Sequence, residues 1–128
     1  MSLKDSLRVM VVDDMSVSRG LLTQSLEEIG IYRIETENSG AGALSRLSAN
    51  PVHLVLSDFN MPGMDGLGLL EGLRKNASTR KIGFILVTGS PTQDLIDRGR
   101  ALALNNLVKK PFTTDTLKKT IEAVVGKL

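Results

Sequence analysis

The chain has no cysteine and no tryptophan, and aromatic residues make up 3% of its 128 positions. Without cysteine there is no disulfide framework, which suits a reducing compartment. So few aromatics exclude a stacking platform for single-stranded bases. No apolar run approaches the ~20 residues of a membrane span. The stretch Met1-Ser2-Leu3-Lys4-Asp5-Ser6 lacks the basic head and apolar core of a signal peptide. A soluble, cytoplasmic protein with no membrane insertion is expected, and the formal glycosylation acceptor Asn76-Ala77-Ser78 is then idle. A charge imbalance is also nearly missing: 16 Lys and Arg against 14 Asp and Glu leave a net charge of +2, with the excess spread along the chain. That is a solvated surface, not a nucleic-acid footprint.

A chain of this length fits a single domain, residues 1–128, and buries about two thirds of its unfolded surface. No internal repeat, linker or low-complexity segment divides it. Leu7 to Val12 is a short, almost wholly apolar run, as in a strand buried on both faces of a parallel sheet, and it ends at Asp13-Asp14. Val17, Leu21, Leu22, Leu26 and Ile29 then recur at helical spacing, and Gly30 supplies the stop. Ile31 to Thr36 reads as a weaker strand with the acids of an edge position, Ser39 to Asn50 as a short helix, and Val52 to Ser57 as a third strand delivering Asp58. A helix follows over Gly66 to Lys75, a buried strand over Phe84 to Val87, and a patchier helix over Pro91 to Leu104. Asn105-Asn106 turns into a short strand, Leu107 to Lys109, which Pro111 prevents from continuing. Thr113 or Thr114 caps a closing helix carrying Leu117, Ile121, Val124, Val125 and Leu128.

Five strand patterns thus alternate with five helix patterns. Short connections and right-handed crossovers make this an α/β protein with a doubly wound, five-stranded parallel sheet and helices on both faces. Parallel strands bring their carboxyl ends to one rim, where open α/β sheets hold their ligands. Asp13, Asp14, Asp58, Thr88 and Lys110 all stand at such ends. Carboxylates ~4 to 6 Å apart repel by several kcal/mol per pair at an effective dielectric near 20, so they need a cation or protons. A hard ion with oxygen ligands and little protein caging describes Mg²⁺, for which the backbone carbonyl of Asn60 offers a further ligand. Lys110 supplies a point charge and Thr88 a hydroxyl donor for phosphoryl oxygens. A carboxylate nucleophile, Mg²⁺, a lysine and a hydroxyl suffice for phosphoryl transfer.

Blander readings exist for single pieces. Asp13 and Asp14 could cap the following helix, His53 could be a packed or surface imidazole, and Met61 and Met64 could be packing residues. Gly66-Leu67-Gly68 is helix entry in preference to a nucleotide loop.

Taken together, Val11-Val12-Asp13-Asp14-Met15-Ser16, Ser57-Asp58-Phe59-Asn60-Met61-Pro62-Gly63-Met64-Asp65-Gly66, Val87-Thr88-Gly89 and Lys110-Pro111-Phe112 resemble the receiver domains of two-component response regulators, most closely the stand-alone CheY-like chemotaxis regulators. The resemblance spans about Arg8 to Val125. It implies the strand order 2-1-3-4-5 of the flavodoxin-like sandwich. It also implies that Asp58 accepts a phosphoryl group from a phosphohistidine on a sensor histidine kinase or phosphotransfer domain. Asp14, Asp58 and the Asn60 carbonyl would bind Mg²⁺ directly, Asp13 mainly through water, while Thr88 and Lys110 would contact the phosphoryl oxygens. Such a protein catalyses only its own phosphorylation and dephosphorylation, and is expected as a monomer.

Leu107 departs from the resemblance, because an aromatic residue commonly lies three positions before the lysine and swings inward on phosphorylation. The preceding turn lacks the usual glycine, and Asn105 or Asn106 is expected to adopt left-handed angles in its place. Ser90, small and two past Thr88, leaves an attacking water unobstructed and predicts a short-lived phosphoryl group. The kinase is expected to dock on the first helix through Arg19, Thr23 and Gln24. Output is expected from a face carrying Arg98, Arg100, Lys109, Lys118 and Lys119, suited to an acidic target such as a flagellar motor switch component. Two other outcomes stay open: a phosphate sink for a shared kinase, and an aspartate-nucleophile phosphohydrolase. The hydrolase would pair its nucleophile with a second acid two residues on, straight after the first strand.

Overall fold

The computed structural model describes residues 2–128. A short helix α1 (Leu3–Ser6) precedes the alternating elements β1 (Arg8–Val12), α2 (Ser16–Ile29), β2 (Arg33–Glu37), α3 (Gly40–Ala49), β3 (Leu54–Asp58), α4 (Gly66–Lys75), β4 (Gly83–Thr88), α5 (Gln93–Ala101), β5 (Asn106–Lys109) and α6 (Thr114–Val125). The five strands form one parallel sheet in the order β2-β1-β3-β4-β5. Both the α/β class and the strand order are those expected from the sequence. The opening helix α1 is not, because four residues carry no periodic stripe; its start instead rests on reciprocal capping between Ser2 and Asp5.

Side chains along a strand point alternately to the two faces, and the central strands carry apolar residues on both, so each helical layer has something to cover. Met10, Val12, Val55, Phe84 and Leu86 face α3, α4 and α5. Val9, Val11, Leu54, Leu56, Ile85 and Val87 face α2 and α6. The edge position of β2 is as read, and Arg46 from α3 reaches over to Glu35 and Glu37, which blunts that edge.

Two expectations fail. Val17 and Leu21 are not core residues: they are 72% and 57% exposed, while Leu22, Leu26 and Ile29 alone carry the buried stripe of α2. The helix is nearly four turns long, and at ~100° per residue Val17 and Leu21 lie well round its circumference from Leu22, off the face turned to the sheet. Nor do the asparagines make the left-handed turn before β5. That conformation belongs to Ala103, with φ 57°.

The reason lies in a hydrogen-bond network. Arg74 at the end of α4 donates to the carbonyls of Leu102, Ala103, Arg80 and Ile82 and to Asn105 Oδ1, and Asn105 Oδ1 also accepts the Phe84 N–H at 2.8 Å. Desolvation lowers the Arg74 pKa. The asparagine side chains, including Asn106 Oδ1 on the Leu107 N–H, satisfy backbone groups that a glycine turn would leave to water.

His53 lies in the bend before β3, exposed, where Nδ1 accepts the Arg8 N–H at 2.9 Å. It is a surface imidazole at the opposite end of the sheet from the strand-end acids.

Candidate functional site

The register places the rim. Val12 lies opposite Ser57, Asp58 opposite Val87, and Thr88 opposite Lys109. Asp13 therefore emerges level with Asp58, and Lys110 one step beyond Thr88. The Lys110 N–H closes that end by donating to the Thr88 carbonyl at 2.8 Å.

The three acids do converge: carboxylate oxygens of Asp13, Asp14 and Asp58 lie within 4.8 Å of one another. Asp13 is fully buried, Asp58 nearly so, and Asp14 opens to solvent. Asp13 Oδ1 accepts the Met15 N–H at 3.0 Å, whereas Asp13 Oδ2 is buried without any hydrogen-bond partner. Such an orphaned acceptor costs about 1–3 kcal/mol, more for a charged group, unless something fills the space before it. Met15 rather than an aspartate is the N-terminal cap residue of α2, and no side-chain cap bond is made there. Helix capping thus accounts for none of these oxygens, and the Met15 N–H occupies only one of Asp13's.

Lys110 is the one cation against this cluster among the described ion pairs, with Nζ 2.9 Å from Asp58 Oδ1 and 3.4 Å from Ser18 Oγ. Burial pushes the Asp58 pKa up; the hydrogen bond and charge of Lys110 pull against that, and the charges of Asp13 and Asp14 reinforce it. Asp58 is a carboxylate held at a net penalty, which a further cation would relieve. A hard divalent ion fits: the donors are all oxygen, three are anionic, one buried oxygen is unused, and Asn60 follows in an exposed loop.

The loops around Asp58 are shaped to keep it accessible. The chain doubles back after β3, and the Gly66 N–H donates to the Phe59 carbonyl at 2.9 Å. A Cβ at Gly66 would lie 2.6 Å from the Asp58 carbonyl oxygen, so only glycine permits this return. Asp65 then caps α4 through the Gly68 N–H at 2.8 Å. On the next strand, Thr88 is buried and its Oγ1 accepts the Ser90 N–H at 3.2 Å, leaving its own proton to donate outward.

Four of the predicted rim side chains, Asp13, Asp14, Asp58 and Lys110, meet here, and the register sets Thr88 at the end of the neighbouring strand. Two further residues of the site were missed in the sequence. Arg19 on α2 donates from Nη1 to the Asp13 carbonyl at 2.9 Å and so fixes the acidic turn from behind; Ser18 contacts Lys110. Their only signal is position, on the first turns of the helix that leaves the rim. Because Arg19 is engaged inward and Thr23 bonds the Arg19 carbonyl, neither is a free surface residue as expected. Met15, Val17 and Leu21 are exposed there instead, beside a hollow of about 380 Å³ lined by Ser18, Leu21, Ser25, Lys110, Pro111 and Phe112.

Comparison with known proteins agrees with this geometry. The response regulator receiver domain family matches residues 9–122. A relative described as probable chemotaxis protein CheY, from Rhizobium etli, is 41% identical over 128 residues, covering all of this chain and 99% of the relative. The structure of chemotaxis protein CheY4 from Vibrio cholerae superposes with a TM-score of 0.85 at 27% identity, over 92% of this chain and 98% of that one. A sensor histidine kinase receiver domain from Pseudomonas aeruginosa, whose own active-site cleft coordinates magnesium, shares the fold at a TM-score of 0.84 and 21% identity, over 94% and 98% of the two chains. The chain belongs to the response regulator receiver domain family.

Proposed function

We propose that this two-component response regulator takes a phosphoryl group onto Asp58 from a phosphohistidine of a sensor kinase or phosphotransfer domain, and signals in chemotaxis through phosphorylation-dependent binding. The observation that carries the reading is the meeting of three carboxylates within 4.8 Å, one oxygen of them buried and unpartnered, with a lysine 2.9 Å from Asp58. Asp13, Asp14, Asp58 and the Asn60 backbone carbonyl are the group that would hold Mg²⁺, which when bound neutralises charge on the acids and the phosphoryl oxygens. Asp58 supplies the attacking oxygen: its O–P bond forms as the P–N bond to the donor imidazole breaks, and the electron pair leaves on that nitrogen. Lys110 moves its ammonium from the carboxylate to a phosphoryl oxygen, and the Thr88 hydroxyl donates to another.

Docking of the donor falls to the exposed apolar side chains of Met15, Val17 and Leu21, the last of which lines the hollow that Lys110 also lines. On the output face, Arg98 and Lys119 are already matched by Asp94 and Asp115, so Arg100, Lys109 and Lys118 carry the attraction for an acidic target such as a flagellar motor switch component. The partly buried Leu107 packs with Leu102 and Leu104 against the core, and output is read from that whole face, not from a swinging aromatic ring. The small, exposed Ser90 leaves the phosphoryl group open to water, and its lifetime is short. Residues 1–128 act as one receiver unit in the cytoplasm.

Incubation with labelled acetyl phosphate and Mg²⁺ tests the reading. One label per chain, absent in Asp58→Asn, is the expected result. Many turnovers on small phosphoesters, or labelling that survives Asp58→Asn, would refute it.

A further inference from the structure

We propose that Ser18 is a positioning residue for Lys110, holding its ammonium on the phosphoryl side of Asp58 so that phosphate is captured quickly. The inference rests on Asp58 being the phosphoacceptor and adds a residue on another element to that site. Lysine is a flexible four-carbon stem ending in a point charge with three protons, and a single contact leaves its direction poorly defined. Lys110 has two: Asp58 Oδ1 at 2.9 Å and, 92 positions away in sequence, Ser18 Oγ at 3.4 Å. The lysine is one-third exposed, so neither burial nor packing alone fixes it.

Ser18 uses its hydroxyl differently from three others on these helices. Thr23, Ser48 and Thr120 turn back and donate to the carbonyl four residues earlier, at 2.9, 2.7 and 2.9 Å. Ser18 makes no such bond among the described residues; its one recorded partner is the Lys110 ammonium. Its hydroxyl therefore does nothing for α2 and is turned into the hollow of about 380 Å³ that Lys110 also lines. Of the rim residues, Lys110 lines that hollow. When Asp58 carries a phosphoryl group, Lys110 must leave the carboxylate oxygen for a phosphoryl oxygen, and Ser18 keeps a second proton of the ammonium engaged as it moves. Part of the orientation is then in place before the donor arrives, which is how positioning lowers a barrier.

The test compares Ser18→Ala, Ser18→Thr and Ser18→Val by the rate of phosphorylation with acetyl phosphate and Mg²⁺. Threonine and valine have the same shape, and only threonine keeps the hydroxyl. A hydrogen bond to a charged, partly exposed group predicts about a three- to tenfold slower rate in Ser18→Ala and Ser18→Val, with Ser18→Thr within about twofold of the parent. In a Lys110→Ala background, Ser18→Ala adds no further loss, because its effect passes through the lysine. Equal rates for Ser18→Val and Ser18→Thr, or an undiminished effect of Ser18→Ala without Lys110, would overturn the proposal. Labelling lost in Asp58→Asn yet indifferent to Ser18 sinks this inference alone. Labelling that persists in Asp58→Asn sinks the phosphoacceptor reading with it.

Discussion

Neutralising the buried acid of the rim should strengthen the metal-free protein while removing its response to Mg²⁺. Asp13→Asn is the cleanest such change. Asparagine has nearly the same shape, its Oδ1 keeps the 3.0 Å bond from the Met15 N–H, and its amide replaces the unpartnered Oδ2. At 4.8 Å and an effective dielectric near 20, each carboxylate pair repels by about 3.5 kcal/mol, and Asp13 takes part in both pairs with Asp14 and Asp58. Asp14 is open to solvent, which screens its share, and Asp13 also loses attraction to Lys110. A net gain of about 1–3 kcal/mol is the outcome, or roughly 3–10 °C in Tm for a domain of this size. Thermal unfolding in chelator measures it directly. Addition of Mg²⁺ at about ten times its Kd should stabilise the parent by about 1.4 kcal/mol and the variant by less than half of that. An Asp13→Asn protein that is less stable in chelator, or that keeps the full magnesium shift, would refute the electrostatic account.

Two other outcomes follow from the same geometry. Because burial raises the Asp58 pKa above its ordinary value, the folded state holds that proton to higher pH than the unfolded chain does. Metal-free stability should therefore fall as pH rises from the ordinary carboxylate range through the raised value, and Asp58→Asn should flatten that slope in urea titrations; parallel slopes would contradict it. Gly66→Ala forces a methyl group against the Asp58 carbonyl at 2.6 Å and should cost about 2–3 kcal/mol, whereas Gly20→Ala, on an open helix face with nothing within 4 Å, should add about 0.5–1 kcal/mol; chemical denaturation checks both.

The sheet was legible because its central strands are apolar on both faces and end in polar residues, so pattern and rim could be read together. Asp58, for instance, follows Leu54-Val55-Leu56-Ser57 directly, and strand polarity alone brings it level with Asp13. What escaped reading depends on three-dimensional accounting that periodicity does not contain. Val17 and Leu21 look like part of the apolar stripe of α2, but Leu22, Leu26 and Ile29 are the face turned to the sheet, and the other two are left in solvent. The turn before β5 is settled by Arg74, about 28 residues earlier, which gathers its carbonyls and frees the asparagines for other work. Ser18 and Arg19 look like ordinary helix-surface residues until the lysine loop and the acidic turn are seen to lie against them.

The central claim is that Asp58 and its neighbours form a magnesium-dependent phosphoryl site. Adding beryllofluoride, a phosphoryl mimic, together with Mg²⁺ and recording amide NMR spectra addresses it most directly. Shifts centred on Asp13, Asp14, Asp58, Thr88 and Lys110, absent in Asp58→Asn and absent without Mg²⁺, are the predicted result. Unchanged spectra at saturating reagent, or identical shifts in Asp58→Asn, would contradict it.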